Sequence, residues 1–318
     1  MATATKAYTL INLPIDSTGH QNAVQKTYVG TTNIYCLQKF GNDTVISQAS
    51  IANGQTIIDF SGSPQMRIKN TGHAQTLDWF SHNGSDYFLV AIDGRANDSS
   101  STEEWATQLG RIQFRANSQI DLYTEVTRLS VLNRANKSGN NFGSLLRVEG
   151  AISTSHEYLL TVGIRVGDHH AQLAYYDLEG INNVLDSVEA SGGHYIECNN
   201  SDVQQYCIDD WETPGSLYRA MGVNDGVQGL DFSDGLAVYF TSGNQDETPT
   251  VIKVDWKSTD FRGRTCSGDW GNLNLVETEG IQVKDTLYMG ITTHALPKND
   301  PNNYTTANYV YTVDKSNW

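Results

Sequence analysis

The feature that most constrains the fold of this 318-residue chain is an internal repeat. In three segments, residues 148–153, 227–232 and 278–283, a Glu or Gln is followed by a Gly and then by an apolar strand pattern. Each segment leads into a turn, a second apolar stretch and a third strand pattern that ends at an Asp. Tight turns between such stretches are typical of β-hairpins. The repeating unit is therefore predicted to be an antiparallel meander.

Two looser copies extend the repeat towards the N-terminus. One starts at Gln75 and turns at Asn83 and Gly84, and the other starts near Gln25. The copies start at uneven intervals, but five units of the mean interval account for nearly the whole chain, which indicates a repeat fold rather than several unrelated domains. We call the first polar residue of each copy its leading residue, and the five leading residues are Gln25, Gln75, Glu149, Gln228 and Glu279.

Repeated antiparallel meanders favour one architecture. A small sheet cannot bury both of its faces alone, and a radial arrangement of sheets, the β-propeller, solves this problem. We therefore predict an all-β chain that forms a single β-propeller domain over residues 1–318, with five blades. Strand patterns at 8–11 and 309–313 would pair in one blade and remove an exposed edge. A β-sandwich would not predict a marker that recurs near each fifth of the length.

Two long stretches interrupt the strand pattern, and we predict that they are loops. Residues 93–105 are rich in Ser, Asp and Glu, and residues 189–218 contain a Gly pair and two of the cysteines. Insertions in a repeat fold often form its binding surface. Trp105, Trp211 and Trp270 lie among Asp, Glu and Gly, where an aromatic face could stack on a sugar ring. These three are the predicted loop aromatics of a binding site.

Charge and hydropathy argue against binding of nucleic acid and against a membrane-spanning helix. The chain carries 21 Lys and Arg against 36 Asp and Glu, a net charge of −15, so a nucleic-acid backbone would be repelled. No run of about 18 uncharged apolar residues occurs, and we therefore expect no membrane-spanning helix. The N-terminal region also lacks the apolar run of a cleavable signal peptide.

The histidines do not indicate a metal site. His20 and His73 both follow a Gly and both precede a leading Gln, and this positional repetition indicates an architectural role. His156 and Glu157 would begin a zinc-protease motif, but Leu160 stands where the second His is required. The chain also has no Walker loop, no G-x-G-x-x-G and no G-x-S-x-G motif. We therefore predict no metal and no cofactor, and the sequence leaves open whether the protein is an enzyme.

The cysteines and one Asp-rich segment allow two interpretations each. Cys198 and Cys207 either bridge a short loop or remain free thiols that pack as small apolar side chains. Asp225, Asp231 and Asp234 could bind calcium, but the D-x-D-x-D-G loop is absent and Asp-Gly is ordinary turn chemistry. We interpret these aspartates as turn residues.

The five leading residues are predicted to lie on the innermost strands, where they would form a polar ring around a central channel. In one interpretation their amides and carboxylates bind a sugar or a cation. In the other, which we favour, they tie neighbouring blades together, because buried polar groups must be paired whatever the function. Glu149 and Glu279 could also be the acid and base of a glycosidase, whose carboxyls lie about 5 to 10 Å apart. Gln at the equivalent positions argues against this chemistry.

Several segments resemble the helveticin J-like family of class III bacteriocins, which are large, heat-labile antibacterial proteins of lactic acid bacteria. Residues 128–135 carry the most specific similarity, residues 72–76 and 24–30 add to it, and the similarity covers nearly the whole chain from about Gly19. Arg147 stands where the family pattern has a His. The resemblance implies a secreted protein, exported without a recognisable signal peptide, that inhibits or kills related Gram-positive bacteria.

The resemblance carries no catalytic residues, because the mechanism of the family is poorly defined. We expect a protein that recognises a glycan or polymer on the target-cell surface, and the resemblance also implies an immunity protein as a partner. A cell-wall or glycan hydrolase working through Glu149 or Glu279, and a non-lethal cell-surface binding protein, are the alternatives. A net charge of −15 opposes approach to an anionic cell wall, so attraction must come from specific contacts or bridging cations.

Overall fold

The computed structural model describes residues 1–96, 103–223 and 226–318. Strands dominate the described chain and its helices are short, which confirms the all-β prediction. The strands of the first half are β1 (Ala2–Ile11), β2 (Val24–Val29), β3 (Asn33–Phe40), β4 (Asp43–Ser50), β5 (Ile57–Asp59), β6 (Gln65–Lys69), β7 (Leu77–His82), β8 (Ser85–Arg95), β9 (Trp105–Ile112), β10 (Ser118–Asp121) and β11 (Thr127–Ser130).

The second half contains further strands and most of the helical residues. Its strands are β12 (Leu145–Ile152), β13 (Tyr158–Arg165), β14 (His170–Asp177), β15 (Tyr195–Glu197), β16 (Cys207–Ser216), β17 (Gly229–Phe232), β18 (Ala237–Ser242), β19 (Thr250–Asp255), β20 (Arg262–Ser267), β21 (Val276–Val283), β22 (Leu287–His294) and β23 (Thr305–Val313). The α-helices are α1 (Leu122–Glu125), α2 (Leu178–Ala190), α3 (Ser201–Gln204) and α4 (Leu217–Met221). Short 3₁₀-helices span Leu132–Arg134, Leu273–Leu275 and Lys315–Asn317.

The strands form five antiparallel meanders of four strands each. Meander 1 contains β2, β3, β4 and β6, meander 2 contains β7, β8, β9 and β11, and meander 3 contains β12, β13, β14 and β16. Meander 4 contains β17 to β20, and meander 5 contains β21, β22, β23 and β1. Each leading residue lies in the first strand of its meander or within two residues before it.

The outer strand of meander 5 comes from the opposite end of the chain. Strand β1 runs antiparallel to β23, in a register that extends from Ala4 opposite Val313 to Leu10 opposite Asn308. Its first residues also pair in parallel with β20, where Ala2 lies opposite Cys266. Both chain ends are therefore held within sheets, and β1 links meanders 4 and 5 into one larger sheet.

The meanders are arranged around their first strands, which we call the inner strands. Each inner strand packs against the inner strand of the next meander, and β21 packs against β2. A separate apolar cluster lies between each pair of neighbouring meanders. Leu37 and Phe88 share the cluster between meanders 1 and 2, and Ile34 and Val310 share the one between meanders 1 and 5. The architecture is therefore propeller-like.

Burial on both faces explains the sequence of the inner strands. All eight residues of β12 are buried. A strand with one face in water would instead alternate between apolar and polar residues. The polar residues of the inner strands are therefore also buried, and each of them needs an internal hydrogen-bond partner.

The prediction that residues 189–218 form a loop is wrong. This stretch contains the end of α2, then β15, α3, β16 and the start of α4. Helix α2 forms because its apolar residues are spaced at helical intervals, and Ile181 and Leu185 are buried between meanders 2 and 3. The stretch 93–105 begins in β8 and ends in β9, and its residues 97–102 lie outside the described residues. Asp225, one of the aspartates considered for calcium binding, also lies outside them.

All four cysteines are buried free thiols. Cys198 and Cys207 belong to the apolar cluster between meanders 2 and 3. They are free thiols that pack as apolar side chains, and no disulfide joins them. Burial raises the pKa of the Cys207 thiol to about 11 and places the pKa of Cys198 higher still. Because the thiolate is the reactive species, these thiols should be inert in the folded protein.

We expect the native protein to react slowly with Ellman's reagent. Unfolding in urea without a reductant should make all four thiols reactive, because it exposes them and returns their pKa to its ordinary value. The measurement is the number of thiols titrated per chain before and after unfolding. Only two reactive thiols in the unfolded protein would show a disulfide and contradict this account.

Candidate functional site

Four of the five leading residues meet where the inner strands converge. The Nε2 atom of Gln75 lies 3.3 Å from Oε1 of Gln25 and 3.4 Å from Oε1 of Gln228. The backbone N–H of Gln75 donates to Oε2 of Glu149 at 3.2 Å. Gln25, Gln75 and Glu149 are buried and Gln228 is half-buried. Residues that are far apart in the chain thus form one connected polar cluster, which we call the polar ring.

Arg147 links three inner strands through this ring. Its Nη2 donates to Oε1 of Glu149 at 2.6 Å and to Oε1 of Gln75 at 2.7 Å. Its Nη1 donates to the carbonyl of Val227 at 2.9 Å. The hydroxyl of Thr76 also donates to Glu149, at 2.6 Å. A buried ion pair is tolerated when both charges have such additional partners, so the carboxylate of Glu149 is committed to holding the strands together.

Trp105 packs against the ring from meander 2. It is the first residue of β9, so its predicted place in a loop is wrong. Its ring stacks on that of His73, with centroids 4.1 Å apart, and the guanidinium of Arg147 lies 4.0 Å from its centroid. His73 in turn lies 2.5 Å from Oε1 of Gln25. Burial lowers the pKa of His73, so the imidazole is neutral at neutral pH.

The fifth leading residue, Glu279, has different surroundings. Among the described residues, no hydrogen bond joins it to another leading residue, and its Oε1 is buried without a partner. Burial, reinforced by the charge of Glu277, raises the pKa of Glu279 well above its usual range. Oε2 of Glu277 lies 3.0 Å from Nε2 of His294, and its Oε1 accepts from Gln228 at 3.3 Å. The ring is therefore hydrogen-bonded to Glu277, whose charge acts on Glu279.

A second set of polar residues lies three positions after the leading residues. Their side chains accept a hydrogen bond from a backbone N–H of the next inner strand. Three such bonds join Asp78 to Ile152 at 3.3 Å, Asp231 to Val283 at 2.6 Å and Gln282 to Val29 at 2.8 Å. These bonds connect meander 2 to 3, meander 4 to 5 and meander 5 to 1.

Lys26 is a fully buried cation beside this second set. Its Nζ lies 3.0 Å from the carbonyl of Leu230 and 3.4 Å from Oδ1 of Asp78. Burial raises the pKa of Asp78 and raises that of Asp231 to about 8, while the charge of Lys26 acts in the opposite direction. One ammonium thus faces two buried carboxyls, and Asp231 holds its proton at neutral pH. The interpretation of Asp231 as a turn residue is wrong, because Asp231 lies in β17 and is buried. Sequence reasoning did not connect it with Lys26 and Asp78, although both aspartates lie three positions after a leading residue.

The other two predicted aromatics lie on different meanders. Trp211 is in β16 rather than in a loop, and its ring centroid lies 6.1 Å from those of Trp256 and Phe261. Trp270 lies between β20 and β21, is buried, and packs on Tyr311 with centroids 5.3 Å apart. The structure therefore does not bring the three tryptophans together, and a sugar-stacking role for them stays a prediction.

An open cleft of about 880 Å³ lies between meanders 1 and 5. It is lined mainly by residues 16–23 and 298–305, and its rim includes Lys39 and His294. His294 contacts Glu277 and so places the cleft beside the polar ring. Sequence reasoning did not select this cleft, although the turn-rich segment before Tyr304, Asn-Asp-Pro-Asn-Asn, is a signal of a shaped surface loop.

The described residues contain neither a candidate metal cluster nor a helix that could span a membrane. Within residues 1–96, 103–223 and 226–318, no three His, Cys, Asp or Glu side chains come together in a way that could hold a metal ion. No helix of the described chain has the length and apolar character needed to cross a bilayer.

The buried Asp231 should make folding stability depend on pH. Its pKa is raised in the folded state, so its stabilising contribution is present below about pH 4 and is lost as pH rises through about 8. Asp231→Asn cannot ionise, so its free energy of unfolding relative to that of the native protein should rise by about 4 kcal/mol between pH 5 and pH 9, because each pH unit up to the folded pKa corresponds to about 1.4 kcal/mol. Urea unfolding at the two pH values measures this difference.

The matched control is Asp234→Asn, the same change at an exposed position of the next turn. This variant should follow the native protein at both pH values. If Asp231→Asn showed the same pH dependence as the native protein, the protonated state assigned to Asp231 would be wrong.

Comparison with known proteins places this chain in a family. The family model described as "Bacteriocin helveticin-J" matches residues 3–316. Bacteriocin helveticin-J of Lactobacillus helveticus is 23% identical over 288 residues, which cover 84% of this chain and 80% of that protein.

Two solved structures are also similar. A tail fibre of Staphylococcus aureus phage P68 superposes with a TM-score of 0.59 and 14% identity over 99% of this chain, which spans about half (53%) of the fibre protein. A thermostable family-43 glycoside hydrolase superposes with a TM-score of 0.44 and 10% identity, over 96% of this chain and 92% of the hydrolase. The family match extends over nearly the whole sequence, and the protein therefore belongs to the helveticin J family of bacteriocins.

Proposed function

We propose that this protein is a secreted antibacterial protein that acts on related Gram-positive bacteria by recognising a glycan or other polymer on their surface. The observation that carries this proposal is the family match over residues 3–316. An immunity protein in the producing cell is a further partner in this proposal, since a producer must survive its own bacteriocin. Recognition through specific contacts, rather than through charge, follows from the net charge of −15.

The proposal includes a closed architecture. We propose that the five meanders are the blades of a single β-propeller over residues 1–318, closed by the pairing of β1 with β23. Support comes from the five apolar clusters between neighbouring meanders and from the packing of β21 against β2. A ring of sheets closed in this way leaves few exposed strand edges and presents its connecting loops for binding.

In this proposal the polar ring contributes to recognition mainly by fixing the positions of the inner strands that it joins. The groups of Gln25, Gln75 and Glu149 are largely used by one another and by Arg147. Gln228 is half-buried and Glu277 is partly exposed, so these side chains remain the ones nearest to an incoming ligand. Trp105 packs against the same ring through its contact with Arg147.

One observation favours hydrolysis as a second candidate function. A general acid must carry a proton at the working pH, and the raised pKa of Glu279 satisfies this requirement. Two observations weigh against it: Glu279 is 1% exposed, and the carboxylate of Glu149 is bound by Arg147 and Thr76. A non-enzymatic binding protein therefore agrees better with the geometry.

The direct test is exposure of related lactobacilli to the purified protein. We expect a fall in viable counts and co-sedimentation of the protein with isolated cell-wall sacculi. Glu279→Gln should retain killing, and no soluble sugar should be released from the sacculi. Undiminished growth would remove the antibacterial proposal, whereas sugar release that is lost in Glu279→Gln would replace binding by hydrolysis.

Salt dependence tests the mode of attraction. Because both the protein and an anionic wall carry negative charge, raising sodium chloride from about 20 to about 300 mM should leave sacculus binding unchanged or strengthen it. Co-sedimentation at several salt concentrations measures this. A steep loss of binding with salt would indicate charge attraction and contradict recognition by specific contacts.

A further inference from the structure

The cleft between meanders 1 and 5 has the size and the outline of a ligand site. Its volume of about 880 Å³ lies within the range of small-molecule and oligosaccharide pockets. A second hollow of about 520 Å³ lies beside it, and both hollows are lined by His20, Gln21 and Tyr304. These residues therefore form a wall with a cavity on each side.

The centre of this wall is a pair of stacked rings. The rings of His20 and Tyr304 lie 3.9 Å apart at an interplanar angle of 19°. Tyr304 is 40% exposed, which is unusual for a large aromatic side chain in this chain. A tyrosine ring offers an apolar surface with a polar hydroxyl at its edge. A pyranose has the matching surface, since its C–H groups form an apolar face and its hydroxyls form the rim.

The imidazole of His20 is held in one orientation. Oδ1 of Asp16 accepts from the backbone and the hydroxyl of Thr18 at 2.8 and 2.6 Å and from the backbone of His20 at 3.2 Å. The hydroxyl of Thr18 uses its single hydrogen on Asp16, so it accepts from Nδ1–H of His20, at 3.1 Å. In the tautomer with the hydrogen on Nδ1, Nε2 is the acceptor that a ligand hydroxyl can use.

The position of Tyr304 is also fixed before any ligand binds. Its backbone carbonyl accepts from the N–H of Ala295 at 3.0 Å. The neighbouring Asn303 accepts from the N–H of Leu296 at 3.0 Å and donates to Gln245 at 2.8 Å. A platform held in this way loses little conformational entropy when a ligand binds.

The charges of the cleft are balanced, unlike those of the whole chain. Its lining contains two carboxylates, Asp16 and Asp300, and two ammonium groups, Lys39 and Lys298. The chain as a whole carries −15. A neutral, hydroxyl-rich ligand would meet neither strong attraction nor repulsion here, and amide and hydroxyl groups of the lining match its hydrogen-bonding capacity.

We propose that this cleft binds a neutral pyranose unit of a bacterial surface glycan, with His20 and Tyr304 as its stacking platform. This proposal rests on the function proposed above and assigns glycan recognition to the cleft between meanders 1 and 5. The sugar could belong to peptidoglycan or to a wall-attached polysaccharide, which share this chemistry.

The test measures binding of the full chain to sacculi from a susceptible lactobacillus by co-sedimentation. A second sample of the same sacculi is first treated with hydrofluoric acid, which removes the attached polymers. Binding to both samples identifies peptidoglycan as the ligand. Binding to the untreated sample alone identifies the attached polysaccharide. Tyr304→Ala should weaken binding at least about tenfold, because it removes the stacking surface. Tyr304→Phe keeps the ring and should stay within about threefold of the native protein.

The matched control is Tyr195→Ala, which removes another exposed tyrosine, from β15 on meander 2. It should bind like the native protein. If Tyr304→Ala bound as tightly as the native protein, the cleft assignment would be wrong while the proposed function would stand. If the native protein itself did not bind either form of the sacculi, glycan recognition as a function would fall, and the cleft assignment with it.

A second variant tests the cleft without changing His20 or Tyr304, so its result does not depend on whether Tyr304→Ala folds. Asn302 is exposed in the cleft lining, and all native cysteines are buried, so Asn302→Cys can be labelled selectively with a polyethylene glycol maleimide. The labelled protein should lose binding and the unlabelled variant should retain it. Ala190→Cys, at the exposed end of α2, should bind equally with and without label. Full binding by labelled Asn302→Cys would contradict the proposal.

Discussion

The structure depends on polar bonds that cross from one inner strand to the next. These strands come so close that side chains between them have little room: a Cβ on Gly229 would lie 2.4 Å from Cα of Gly280, and one on Gly280 would lie 2.6 Å from the carbonyl oxygen of Gln25. Glycines permit this close approach, and at these points no side chain fits between the strands to pack them together. Hydrogen bonds from side chains to the backbone of the neighbouring strand join them there instead, as in the bond from Val283 to Asp231.

This arrangement includes buried charged groups, and it limits which groups at the centre of the molecule can bind a ligand. Arg147 and Lys26 are almost completely buried, and each has carboxyl or carbonyl partners. Buried ion pairs contribute little net stability, but breaking one leaves an unpaired charge at a high cost. Groups committed in this way are not available to a ligand. For this reason the recognition step that we propose is assigned to the cleft that contains Tyr304 and not to the polar ring.

The sequence predicted the repeating part of the fold and little of the rest. The Gln or Glu followed by Gly identified the inner strands, because the same close approach recurs in several meanders and demands similar residues. Helix α2 was missed because its apolar spacing lies within a polar stretch interpreted as a loop. The stacking of His20 on Tyr304 joins residues from opposite ends of the chain, and no local pattern contains that information. Lys26 was missed because a charged residue in a strand pattern is ordinarily exposed.

Hydrogen exchange of individual backbone amides tests the central role of these crossing bonds most directly. The N–H groups of Val29, Ile152 and Val283 donate to side chains of a neighbouring meander. If those bonds hold the sheets together, these amides should be among the slowest to exchange, with opening free energies close to that of global unfolding. Exchange at these positions as fast as in the short edge strands β10 and β15 would show that the meanders are held together in another way.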